Sequence, residues 1–67
     1  MRDAMIQTLK LHAKAGSQLH MMNIEVYLKN PAGIGEHSDI MEAIQAELDK
    51  MAMHEDRLDI LDTYFNE

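Results

Sequence analysis

Sixty-seven residues and 7.7 kDa allow one small domain spanning 1–67, with no cysteine and a formal net charge of −6. Absent cysteine rules out disulfides, thiolate zinc sites and the stapled scaffold of a small secreted protein. No apolar run approaches a membrane span and no cationic apolar leader opens the chain, so a soluble intracellular protein is expected.

The first predicted element is a helix over about 2–30. It has no proline and is rich in Met, Leu, Ala, Gln and Lys, all good helix formers. On a helical wheel Met5, Leu9, Ala13, Gly16, Leu19, Val26 and Tyr27 share one broad face, and Ile6, Ile24, Ala15 and Met22 extend its edges. The polar face of Gln7, Lys14, Gln18 and Glu25 is narrow. An apolar arc this wide packs against more than one neighbour.

A loop over 31–38 follows. Asn30 to Asp39 holds the only proline, Pro31, and two of the three glycines, Gly33 and Gly35. Ser38 or Asp39 is suited to cap the next helix, and Glu42 completes a capping box with Asp39.

The second helix is predicted over about 39–65. His37, Ile40, Ile44, Glu47, Met51, His54, Leu58, Leu61 and Phe65 follow an alternating three-four spacing, which is a coiled-coil seam. Met41, Leu48 and Ala52 widen it, and Asp49, Asp56, Arg57 and Asp59 stand opposite.

Two helices each about 40 Å long, joined by a short loop, lie antiparallel. The fold class is therefore all-α, an antiparallel two-helix hairpin. A bare hairpin leaves helix one with only one neighbour. Surface scaling for this mass gives about 4,300 Å² folded and about 11,000 Å² unfolded, so only about 60% is buried. The apolar burial contributes roughly 100 kcal/mol, and ordering the chain costs about the same. The hairpin is thus expected to dimerise into a four-helix bundle. The expected oligomer interface comprises Leu9, Leu19, Val26, Ile44, Met51, Leu58, Leu61 and Phe65.

Charge divides between the halves. Four cations against two acids give residues 1–30 a balance of +2; two cations against ten acids give 31–67 a balance of −8. No cation cluster suits phosphate neutralisation, so neither nucleic acid nor an anionic membrane is an expected partner. Antiparallel packing instead brings Lys10, His12 and Lys14 towards Asp56, Asp59 and Asp62.

Four histidines among many carboxylates raise a metal site, yet the Glu-x-x-His pairs of di-metal bundles are missing, as is His-Glu-x-x-His. The antiparallel register places His12 near His54 and His20 near Glu47. These four are the only metal candidates, and they read better as seam residues that fix helix register. No cofactor is expected. His37-Ser38-Asp39 contains the residue types of a hydrolase triad, but adjacent residues cannot align as nucleophile, base and orienter. The glycine loop lacks both the spacing and the lysine of a phosphate-binding loop. No enzymatic activity is expected. The seven methionines read as filling for a narrow bundle core.

The run Ile24-Glu25-Val26-Tyr27-Leu28-Lys29-Asn30-Pro31-Ala32-Gly33-Ile34-Gly35-Glu36-His37-Ser38-Asp39 resembles a family of short uncharacterised proteins from marine T-even-like tailed phages and ocean metagenomes. The similarity extends through Met41-Glu42-Ala43-Ile44 and Glu47-Leu48 to Tyr64-Phe65. The resemblance implies a phage source and a location in the host cytoplasm, with no activity, cofactor or catalytic residue to carry over. The expected function is that of a non-enzymatic phage accessory protein, a helical interaction module that homodimerises and binds a host or phage protein. The alternatives are a metal- or ligand-binding bundle using His12, His20, Glu47 and His54, and a minor virion or assembly component.

Overall fold

The computed structural model describes residues 1–29 and 37–65. The expected turn at Pro31, Gly33 and Gly35 lies outside the described residues. The described residues form two helices: α1, Arg2–Lys29, and α2, His37–Tyr64, each of 28 residues. Helix α2 begins two residues before the expected Asp39 cap, so Asp39 sits inside the first turn rather than at its head. There its carboxylate still faces the positive end of the helix dipole.

The helices pack side by side and antiparallel, since Lys10 meets Asp62 near one end while His20 meets Glu47 towards the other. The resulting rod has Cα extents of 49 × 15 × 13 Å. From Ile40 to Leu61 the seam of α2 is the one its spacing predicts, whereas Phe65, the last predicted seam position, is exposed. Ile40 and His54 are buried, and Ile44, Glu47, Met51, Leu58 and Leu61 are half-buried along the same face.

The seam of α1 differs from the broad face read on the wheel. Ile6, Lys10, Ala13, Ser17, His20, Ile24 and Tyr27 turn inward, again at alternating four-three spacing. Only Ala13 and Tyr27 belong to the predicted central face. Three of the seven are polar, and α2 supplies a carboxylate for each. Lys10 Nζ lies 3.0 Å from Asp62 Oδ1, Ser17 Oγ donates to Glu55 Oε2 at 2.5 Å, and His20 bonds Glu47.

This arrangement divides the expected oligomer interface. Ile44, Met51, Leu58 and Leu61 are already half-buried within the hairpin. Leu9, Leu19, Val26 and Phe65 are exposed, at 54%, 57%, 60% and 44%. Ala13 and Ile40 are the only buried apolar residues among those described. The molecule has a seam but scarcely a core.

The Lys10–Asp62 pair also answers an electrostatic problem. The last turn of α2 contains no basic residue, so the dipole there disfavours Asp62. Lys10 supplies the missing cation from the other helix. Because Asp62 is itself exposed, Asp62→Ala is expected to cost less than about 1 kcal/mol, and less again at high salt. Thermal melts at low and high ionic strength measure it.

Candidate functional site

The polar residues of the seam gather at mid-hairpin around His54. Heptad spacing puts this residue on the inner face of α2, where its imidazole is 6% exposed. The ring lies over Gly16 of α1. A methyl group on Gly16 would overlap the ring atoms Cε1, Nε2 and Cδ2, so only glycine leaves room for the imidazole. His12 contacts the ring edge-on, with centroids 5.8 Å apart and planes at 61°. His20 stacks on it at 5.7 Å and 17°. Three imidazoles thus form a short ladder across the helix pair.

The ladder ends on a carboxylate. His20 Nδ1 and Asn23 Nδ2 each lie 2.8 Å from Glu47 Oε1. An ionised carboxylate only accepts, so His20 carries its proton on Nδ1 and donates it there. Lys50 Nζ stands 3.8 Å from the other oxygen, Oε2. The Asn23 and His20 hydrogen bonds hold the Glu47 carboxyl below its ordinary pKa, outweighing a smaller opposing effect of desolvation. At neutral pH Glu47 is therefore anionic and well supported.

His54 stands in the opposite situation. Its Nδ1 is buried with no hydrogen-bond partner among the described residues. Burial lowers its pKa first, and the neighbouring charges of Arg57, His12 and His20 lower it further. The ring is neutral at physiological pH. An unpartnered buried nitrogen is a local cost to folding.

The pairings expected from antiparallel register, His12 with His54 and His20 with Glu47, are both in contact. They do not converge on a common point. Among the described residues no group of three His, Asp or Glu side chains is placed to hold a metal ion. The stacked rings of His20 and His54 present faces to each other rather than lone pairs to a shared centre, and Nδ1 of His20 is engaged by Glu47. Gly16 and Asn23, which shape the ladder, were not among the candidates read from the sequence. The signal for Gly16 was its helix-interior position, where glycine is unfavourable without a packing reason.

Fold and seam together define an antiparallel helical hairpin with a histidine-centred seam, exposed apolar side chains on α1 and an acidic outer face on α2. No family model, curated protein or solved structure matches the chain. No described helix is long and apolar enough to cross a membrane.

Proposed function

We propose that this protein is a non-enzymatic helical interaction module that homodimerises into a four-helix bundle. One observation carries the reading: among the described residues fifteen large apolar side chains are exposed, against two buried apolar residues, Ala13 and Ile40. An isolated rod with that distribution leaves more hydrocarbon wet than a monomer ordinarily does. Association is the direct remedy.

The setting implied by the sequence resemblance makes it a phage accessory protein working in the host cytoplasm. A further protein partner fits the acids of α2, where Glu42, Asp49, Asp56 and Asp59 are all exposed. A metal- or ligand-binding role for His12, His20, Glu47 and His54 has less support, because the ladder stacks rather than converges.

Sedimentation equilibrium and circular dichroism across a dilution series test the reading. The expected result is a species of twice 7.7 kDa at micromolar concentration that loses helix on dilution. A stable, fully helical monomer throughout would overturn it.

A further inference from the structure

We infer that the dimer forms through the outer stripe of α1 packed antiparallel against the same stripe of a second copy, about a two-fold axis beside Ala15 and Gly16. The inference rests on the interaction-module reading and specifies its surface.

Next to its seam, α1 carries a second apolar stripe that faces away from α2. Met5, Leu9, Leu19, Met22 and Val26 are each more than half exposed. Their order has a property that singles out the occupant. Counted outward from the Ala15–Gly16 bond, Met5 and Val26 are equidistant, as are Leu9 and Met22, and His12 and Leu19. Two copies laid antiparallel across that midpoint bring Met5 against Val26 and Leu9 against Met22. Leu19 of each copy then covers His12 of the other. An isologous two-fold interface requires this self-complementarity, and an unrelated partner does not. Ala15, a small and exposed residue, falls beside the midpoint where the axes approach most closely, while Gly16 next to it turns its open side to the His54 ring of its own hairpin, and the bulky residues lie towards both ends.

The area agrees. The chain exposes 5236 Å², about 900 Å² more than the roughly 4,300 Å² expected for a compact protein of its mass. A standard interface buries about 800 Å² on each partner. One such contact per chain removes the excess. The stripe also contains no carboxylate, so pairing it with itself places no acid against another.

The absence of native cysteine makes the test direct. A variant with both Met5→Cys and Val26→Cys is oxidised in air at micromolar concentration, and its cross-links are mapped by peptide mass spectrometry. The two positions are about 30 Å apart along one helix, so no link forms within a chain. The expected product is a covalent dimer joined between position 5 of one copy and position 26 of the other, released by dithiothreitol. Asp49→Cys, on the outer face of α2, is expected to remain uncross-linked under the same conditions. Links between identical positions, efficient linking through Asp49→Cys alone, or no link in a protein that sediments as a dimer would each overturn this surface while leaving the interaction-module reading intact. A parent protein that stays monomeric with full helicity would overturn both.

Discussion

Gly16→Ala is expected to destabilise the hairpin by about 1–2 kcal/mol, although alanine in a helix interior ordinarily stabilises by about 1 kcal/mol. The reversal of sign comes from His54. The new methyl group would occupy the space of three imidazole atoms, and the ring has little freedom to move away. His12 lies against its edge and His20 against its face. Relief therefore requires the ring to leave the seam or the helices to separate locally, and either gives up packing on both sides of the ladder. In a His54→Ala background the obstruction is gone, and Gly16→Ala should recover the helix-propensity gain of up to about 1 kcal/mol. The two substitutions are thus coupled by roughly 2–3 kcal/mol in a double-mutant cycle, well beyond the scatter of independent sites. Urea denaturation of the four proteins at one concentration measures it. Additive effects would show that Gly16 is not the berth of the imidazole.

Acidification should destabilise the protein in two steps. The folded pKa of His54 lies below its ordinary 6.5, with burial as the main cause and the charges of Arg57, His12 and His20 adding to it. Below about pH 6.5 the unfolded chain binds a proton that the folded chain resists. Stability is therefore full above that pH and falls as the pH drops towards the folded value. Glu47 acts in the same direction lower down. Its folded pKa lies below the ordinary 4.5 because Asn23 and His20 donate to the carboxylate, with Lys50 assisting. The unfolded chain takes up that proton first, so a second fall begins below about pH 4.5. Melting temperature should be level from about pH 8 to 6.5, then decline through both windows. His54→Leu should abolish the first decline and keep the second. It should also raise the melting temperature at neutral pH by several degrees, because leucine suits an inward heptad position and removes a buried nitrogen without a partner. A parent protein that melts higher near pH 5.5 than near pH 7.5, with the difference lost in His54→Leu, would mean that the ring is charged in the fold.

The all-α hairpin was determined by local sequence. Two proline-free stretches of strong helix formers flank Pro31, and a chain so divided has few other ways to satisfy its backbone. The inner face of α2 was equally legible, because apolar residues occupy five of its heptad positions from Ile40 to Leu61. Antiparallel register then sufficed to bring His12 to His54 and His20 to Glu47.

The inner face of α1 could not be read in the same way. Hydrophobic periodicity points to Met5, Leu9, Leu19 and Val26, yet the helix turns Lys10, Ser17 and His20 inward; antiparallel register indicates the partners of Lys10 and His20, while that of Ser17 appears only in the structure. The reason lies on the other helix, where Asp62, Glu55 and Glu47 stand ready to receive those groups. A polar residue becomes a seam residue only when its partner is present, and a partner many residues away in sequence leaves no periodic trace. The same holds for Gly16, whose missing side chain acquires meaning only once the His54 ring lies over it. Composition and spacing fix which segments become helices. Which face of α1 is inside follows from the pairing of polar groups across the seam, and that pairing exists only in the folded hairpin.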